Sequence, residues 1–252
     1  MKIENKAAVI TGSGRGIGEV IALTLSEFGA NVVITDINKR DVERVVEKIK
    51  TRGGNAIGCL ADVTNLIQIE KLLHNSVKEY GKIDILVNNA GMTKSAKLFD
   101  LSEDEWDRIL NVNLKGTFIC SKVFAKHMAS NNYGRIINIS SIGYKGTSVG
   151  QSHYSASKAG VLGLTRSLAL ELGKYNINVN SVSPGMIDAP MFYASLKDPE
   201  KEIAWIKQKI ALKRLGRPED IANCVLFLAS EFSSFITGQN IDVEGGLTVG
   251  IN

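Results

Sequence analysis

Two hydrophobic rhythms alternate along the chain. Short continuous apolar runs, AAVI (7–10) and NVVITD (31–36), are each followed by a stretch whose apolar positions fall three and four apart. The first rhythm reads as a strand buried on both faces, the second as a helix with one apolar stripe. After AAVI, the residues Ile17, Val20, Ile21, Leu25 and Phe28 keep helical spacing up to Gly29. After NVVITD, Val42, Val45, Val46 and Ile49 do so up to Gly53-Gly54. The alternation continues with a strand in NAIGCLADV (55–63) leading to Asp62, a helix on Ile69, Leu72, Leu73 and Val77 closed by Gly81, and a strand in IDILVNNAG (83–91). SEDE (102–105) reads as a capping box, Ser102 with Glu105, opening a long helix. RIINIS (135–140) is a strand, 152–173 a helix and INVNSVSP (177–184) a strand. Pro218-Glu219-Asp220 starts a further helix, and QNIDVEGG (239–246) is the last strand.

This order predicts an α/β fold: a parallel sheet covered by helices on both faces, with right-handed crossovers. No repeat, linker or low-complexity tract interrupts it, so residues 1–252 read as one doubly wound Rossmann-type domain. In such a sheet, ligands belong at the carboxyl ends of the strands. The loops after AAVI, NVVIT, GCLA, ILVN, IINI and VNSV therefore carry the information.

Composition narrows the function classes. Thirty basic against 26 acidic residues give a net charge of +4, and the signs are interspersed, as in KRDVERVVEKIK (39–50). Without a basic block or an aromatic-basic stripe, a nucleic-acid partner has no support. Cys59, Cys120 and Cys224 are far apart and odd in number, and His74, His127 and His153 show no paired spacing, so no metal site is expected. The longest uncharged apolar run, near IANCVLFLAS (221–230), is about half a membrane span. The N-terminal apolar run is too short for a signal-peptide core. The expectation is a cytoplasmic protein with no membrane partner.

Between the first strand and the first helix stands TGSGRGIG (11–18). A helix N-terminus with unpaired N–H groups favours an anion, and glycine lets the backbone turn tightly against it. The loop does not fit G-x-G-x-x-G in either register, because Ile17 and Glu19 stand where the third glycine would be. Asp36 ends the second strand, where a carboxylate accepts hydrogen bonds from an adenosine ribose and repels a 2′-phosphate. Arg15 argues the other way, since a guanidinium pairs with that phosphate.

Tyr154 and Lys158, in YSASK (154–158), lie one turn apart on one face of a helix. Tyrosine, with a pKa of about 10, is a poor acid or base at neutral pH unless a neighbouring ammonium lowers it. A second such pair, Tyr193 with Lys197, shows that the spacing also arises by itself. What sets Tyr154 apart is Ser140-Ser141 thirteen to fourteen residues upstream at a strand end, where Tyr193 has Asn180 at the offset of thirteen. Tyr193 also falls in a lid-like segment beyond Pro184, where a long polar side chain is most simply solvated.

With these residues in hand, the chain resembles a short-chain dehydrogenase/reductase over essentially its full length. TGSGRGIG, DV (62–63), NNAG (88–91), NVNLKG (111–116), INISS (137–141), YSASK, PG (184–185) and ITGQNIDVEGG (236–246) occur in the family's order. Its glycine pattern, T-G-x-x-x-G-x-G, is met by Thr11, Gly12, Gly16 and Gly18, leaving Gly14 as an extra. The resemblance implies a catalytic tetrad of Asn113, Ser141, Tyr154 and Lys158. It implies a dinucleotide held by Gly12, Arg15, Gly16, Ile17 and Gly18, by Asp36, and by Asp62 and Val63 beside the adenine. Asn89 and Gly91 line the cofactor, Tyr154 and Lys158 also touch it, and Pro184, Gly185 and the Ile187 backbone hold the nicotinamide carboxamide. In that mechanism Ser141 hydrogen-bonds the carbonyl oxygen, Tyr154 supplies the proton, Lys158 tunes Tyr154, and Asn113 fixes a water linking Lys158 to solvent. The family often has Thr where Ala189 stands, so one hydroxyl contact to the cofactor is missing.

The resemblance further implies NAD or NADP as cofactor, with Asp36 favouring NAD, and a homo-oligomer, usually a tetramer. It implies a small-molecule substrate closed in by a lid near 188–212. Much of the sequence, including GRPEDIA (216–222), resembles 3-oxoacyl-acyl-carrier-protein reductases. Asn132 and Tyr175, however, stand where those reductases often present arginines, which weakens the expectation of an acyl carrier protein as partner. A 3-oxoacyl thioester and a sugar- or polyol-like alcohol both stay open as substrates. So does a dinucleotide-binding sensor or scaffold without turnover.

Overall fold

The computed structural model describes residues 3–146, 148–194, 196 and 198–249. Seven strands form one sheet: β1 (Ala7–Thr11), β2 (Asn31–Asp36), β3 (Ala56–Leu60), β4 (Ile85–Asn88), β5 (Gly134–Ile139), β6 (Ile177–Pro184) and β7 (Asn240–Val243). Their order is β3-β2-β1-β4-β5-β6-β7 and every pairing is parallel. The winding reverses between β1 and β4, which places a crevice above their carboxyl ends.

Strands β1 to β6 divide their apolar residues between two cores with a period of two. Ala8 and Ile10, Val32 and Ile34, Ile85 and Val87 face a core shared with α1 (Gly16–Glu27), α2 (Lys39–Thr51) and α9 (Pro218–Ala229). Ala7 and Val9, Val33, Leu86 and Ile136 face the other, built with α3 (Leu66–Tyr80), α5 (Gly116–Ser130) and α6 (Ser152–Leu172). Each fully buried Val, Ile or Leu contributes about 1.5–3 kcal/mol, so the sheet is the stable platform and the loops above it can be shaped for other ends. Most of the uncharged run 221–230 lies in α9, which buries Ile221, Ala222, Val225, Leu226, Leu228 and Ala229. Two shorter helices, α7 (Pro190–Tyr193) and α8 (Pro199–Lys209), fall in the segment read as a lid. Ile206 and Ile210 pack with Leu215 in a small core of their own.

Several expectations shift. The strand expected over 83–91 covers only Ile85–Asn88, so Asn89 to Gly91 form a loop at the crevice. The strand expected over 55–63 ends at Leu60, two residues before Asp62. The capping box is half made: Ser102 accepts the Glu105 N–H at 3.2 Å, but the Glu105 carboxylate turns to Lys94 at 2.9 Å. The long helix it opens is α4 (Glu103–Leu110), which passes through a widened turn, Asn111–Lys115, before α5. There the Gly116 N–H donates to Asn111, five residues back rather than four. Such bulges carry no sequence periodicity of their own and recur at functional sites. Cys59, Cys120 and Cys224 are all free thiols.

Candidate active site

The loop after β1 is shaped by what surrounds it. Gly12 and Gly16 hold φ of +62° and +59°, a region side chains rarely enter. The Thr11 hydroxyl accepts the N–H groups of Asn89 and Ala90 at 3.0 Å each. The Asn89 amide returns two bonds, to the Thr11 and Gly12 carbonyls at 3.0 and 2.9 Å. A Cβ on Gly18 would overlap the Gly12 carbonyl and the Asn89 amide, and one on Gly12 would stand 2.8 Å from the Ala90 Cα. Asn89 therefore acts first as a clamp on the glycine loop. Among the described residues, no protein acceptor takes the N–H groups of Arg15, Gly16, Ile17 or Gly18. Opening α1 without a side-chain cap, they form a cradle suited to a diphosphate.

Gly14, outside the family's glycine pattern, is constrained all the same. Its N–H donates to Asp36 Oδ2 at 3.1 Å, and a Cβ there would lie 2.9 Å from that oxygen and 2.8 Å from Asp41 Cβ. Asp36 Oδ1 accepts the Ile37 and Asn38 N–H groups at 2.8 and 3.2 Å. The carboxylate thus ties the glycine loop to the end of β2 while its edge faces the crevice. Arg15 is exposed at the crevice wall and pairs with no acid among the described residues. Sequence reasoning missed Arg44, which donates to the Gly14 carbonyl at 2.7 Å and to Glu19 at 2.7 and 3.0 Å, with Lys48 on Glu19 at 2.8 Å. Burial works to raise the Glu19 carboxyl, but Arg44 and Lys48 outweigh it and hold it below its usual range. The signal was available: Arg44 and Lys48 lie one turn apart on α2. Beyond β3, Asp62 accepts the Thr64 N–H and hydroxyl at 2.8 Å each, and Val63 packs on Gly116, where a Cβ would approach to 2.7 Å.

Ser141 follows β5, and Tyr154 and Lys158 stand on the first turns of α6. The Ser141 Oγ accepts the Gly143 N–H at 3.0 Å. Gly143, also missed from sequence, fills the gap beside the pair: a Cβ there would lie 2.9 Å from Tyr154 Cε1 and 3.3 Å from Ser141 Oγ. Lys158 is 4% exposed and donates to the Ile139 carbonyl at 2.9 Å, with its nitrogen 5.8 Å from the Tyr154 ring centre. Burial pulls its pKa down to about 8. For Tyr154, burial pushes the phenol up, and the hydrogen bond with Ser141 offsets only part of this. The expectation that the ammonium lowers the Tyr154 pKa is therefore corrected. Burial of the phenol outweighs the help its neighbours give the charged form.

Asn113 lies in the widened turn, 1% exposed. Its amide accepts the Met92 N–H at 2.8 Å and donates to the Met92 carbonyl and Ser157 Oγ at 3.0 and 3.1 Å. It joins the loop after β4 to α6. A Cβ on Gly91 would touch both Asn113 Oδ1 at 3.3 Å and Lys158 Nζ at 3.5 Å, so Gly91 keeps the two side chains in reach of one another.

At the far end, Pro184 closes β6 and Gly185 passes so close to Glu244 that a Cβ would stand 2.6 Å from its Cβ. Ile187 bridges to Gly216 through its neighbours: Gly216 N–H to Met186 and Asp188 N–H to Gly216, at 2.9 and 2.8 Å. In a parallel bridge this turns the N–H and C=O of Ile187 itself away from Gly216, and among the described residues neither has a partner. A primary carboxamide, with one donor group and one acceptor, fits them. Ala189 stands at the N-cap of α7 and makes no side-chain cap. Tyr193 is 42% exposed and donates to Asp188 at 2.9 Å, whereas its sequence partner Lys197 lies outside the described residues.

One cavity of about 1450 Å³ runs along this whole crevice and is lined by every candidate site residue except Asn113, which stands behind Gly91. Residues 189–192 and Ala194 of the α7 segment line it and α8 does not. Glycines that leave room at a helix N-terminus, an acid at the ribose position and a free carboxamide partner fit a nicotinamide dinucleotide. No group of His, Cys, Asp and Glu among the described residues is arranged to hold a metal, and none of their helices is long and apolar enough to cross a membrane.

Comparison with known proteins agrees with this geometry. A family model described as enoyl-(acyl carrier protein) reductase matches residues 12–248. The chain is 45% identical over 246 residues to the (2S)-[(R)-hydroxy(phenyl)methyl]succinyl-CoA dehydrogenase subunit BbsD of Thauera aromatica, covering 98% of both chains. It is 41% identical over 249 residues to the 3-oxoacyl-[acyl-carrier-protein] reductase FabG of Thermotoga maritima, covering 99% of this chain and 100% of that one. The crystal structure of levodione reductase superposes with a TM-score of 0.95 at 30% identity, covering 99% of this chain and 100% of the other. The continuous seven-stranded parallel sheet, the glycine cradle and the relatives of full length converge: the chain is an oxidoreductase belonging to the short-chain dehydrogenase/reductase family, and within it resembles the 3-oxoacyl-acyl-carrier-protein reductases.

Proposed function

We propose that the protein interconverts a secondary alcohol and a ketone with a nicotinamide dinucleotide, Tyr154 acting as general acid or base. The observation that carries this is the Ser141–Tyr154–Lys158 cluster at the carboxyl end of β5, inside the same cavity as the cradle of α1. Bound there, the cofactor would supply or accept the hydride. The N–H groups of Gly16, Ile17 and Gly18 would hold its diphosphate, Asp36 its adenosine ribose, Asp62 and Val63 its adenine surround, and Ile187 its carboxamide. Ser141 donates to the substrate oxygen, and Tyr154, whose phenol keeps its proton at neutral pH, delivers that proton in the reductive direction. Lys158 sits where a proton is exchanged near pH 8, and Asn113 positions it by fixing the loop behind Gly91.

Asp36 supports NAD over NADP. Its carboxylate is anchored by three backbone N–H groups and cannot swing from a 2′-phosphate, whereas Arg15 is free to reach or leave one. The substrate reading that gains most support is a 3-hydroxyacyl or 3-oxoacyl thioester, because two relatives above 40% identity are named for thioesters. A coenzyme A thioester is favoured over a protein-borne one, since Asn132 is exposed without a charge and Lys174 stacks over Tyr175, 5.1 Å from its ring centre. A homotetramer in the cytoplasm completes the reading, with Phe118 and Leu170 as exposed apolar side chains for subunit contacts.

A spectrophotometric panel tests it: 3-oxoacyl-CoA, 3-oxoacyl-carrier-protein, ketosugars, polyols and small ketones, each with NAD(H) and NADP(H). Turnover highest with the CoA thioester and NAD(H) is expected. Turnover confined to sugars or polyols would overturn the substrate reading, and tight cofactor binding without any turnover would favour a sensor.

A further inference from the structure

The turn that follows Ser141 is fastened at both ends. At its start, Gly143 N–H donates to Ser141 Oγ at 3.0 Å and Tyr144 N–H to the Ser141 carbonyl at 3.0 Å. At its end, Lys145 Nζ meets Asp242 Oδ2 at 2.8 Å and Thr248 Oγ1 at 2.6 Å, and the Tyr144 hydroxyl donates to the same Asp242 oxygen at 3.3 Å. Asp242 stands on the edge strand β7, two strands away from β5. It does not float there. Its other oxygen accepts the Asn240 amide at 2.7 Å, and Asn240 in turn accepts the hydroxyls of Ser181 and Ser183 on β6 at 2.9 and 2.8 Å.

The consequence lies at Ser141. The Gly143 N–H occupies one lone pair of Oγ, which fixes the rotamer and leaves the hydroxyl hydrogen for Tyr154 or the substrate oxygen. Gly143 also abuts the Tyr154 ring, so where the turn sits decides the spacing of both groups. Glycine and the short turn give little rigidity of their own. The charge-assisted contacts to Asp242 tie it to the sheet, whereas the Thr248 hydroxyl belongs to a loop.

We propose that Lys145 and Asp242 form a latch that positions the Ser141 hydroxyl, both being positioning residues that touch neither substrate nor cofactor. This rests on the reading of Ser141 and Tyr154 as the reacting pair. Lys145→Met and Asp242→Asn are to be compared with the double variant and with Lys145→Arg, each normalised to sites competent to bind cofactor. Lys145 is a surface side chain, so its removal leaves the core intact should Asp242→Asn fail to fold. The latch requires kcat to fall about tenfold or more in the single variants, since small misplacements are amplified at a reacting centre. It also requires cofactor Kd to stay within about twofold, the double variant to be no worse than the worse single, and Lys145→Arg to recover most of the loss. An unchanged kcat in Lys145→Met, or single losses that multiply in the double, would overturn it. Ser141→Ala and Tyr154→Phe run alongside: if these lose turnover while Lys145→Met does not, the latch alone fails, and if Tyr154→Phe keeps turnover, the function reading fails first.

Discussion

Asp36 carries two jobs on one side chain. As a cap it holds the Gly14, Ile37 and Asn38 N–H groups, and in the proposed function its charge would disfavour a 2′-phosphate. Asp36→Ala is expected to raise the NADP(H)/NAD(H) ratio of kcat/KM while costing about 1–3 kcal/mol of stability through the uncapped loop. A ratio that does not rise would remove Asp36 as discriminator, whatever the loss of stability. Lys158 offers a test of a different kind. Unfolded, it keeps its proton up to about 10.5, and folded only up to about 8. Below 8 both states are charged and the burial penalty is fully present. Between 8 and 10.5 only the unfolded state holds the proton, so stability gained from this group rises with pH and levels off above that window. Lys158→Met should therefore abolish turnover yet raise stability near neutral pH by about 1–3 kcal/mol, after the lost bond to Ile139, with the advantage shrinking in alkaline buffer. Chemical denaturation at two pH values reads it. A variant less stable at both would contradict the burial argument. Residue types and spacing made Tyr154, Lys158 and Ser141 legible in the sequence. Spacing gave no distances, which is why the direction of the Tyr154 shift came out reversed.

At the scale of elements, the glycine loop is rigid by exclusion rather than by bonds alone. Gly18→Ala would drive a methyl into the Gly12 carbonyl and the Asn89 amide, which are backbone and clamp and cannot both yield. Cofactor affinity measured by fluorescence or calorimetry is expected to fall by a hundredfold or more, about 3 kcal/mol, while the far-ultraviolet circular dichroism is kept. Unaltered affinity would mean that the loop does not bind the dinucleotide. The strands and the helices α1, α2, α3, α6 and α9 were legible because burial on two faces or on one stripe leaves a period in the sequence. The widened turn at Asn111–Lys115 was not, since one extra residue in a turn leaves the apolar pattern nearly unchanged. The constraint on Gly14 was not legible for a related reason: its partners, Asp36 and Asp41, come from another βα unit and share no local pattern with it.

The whole molecule divides labour between a two-sided apolar sheet and a polar rim at its carboxyl ends. Because the winding reverses between β1 and β4, the cradle on one side and the Ser141–Tyr154 pair on the other open into a single cavity. Strand-helix alternation alone led to the expectation of ligands at the carboxyl ends of the strands. The stitching of the rim was not expected: Asn89 to the glycine loop, Asn113 to Met92, and Asp242 to Lys145 all join segments distant in sequence. The central claim is that a bound dinucleotide exchanges hydride with a substrate whose proton is handled by Tyr154. The most direct measurement sets wild type and Tyr154→Phe side by side, recording cofactor affinity and turnover of the best substrate from the panel. The expected result is cofactor affinity within about twofold and turnover lower by about a hundredfold or more. Equal turnover in the two proteins would contradict the account.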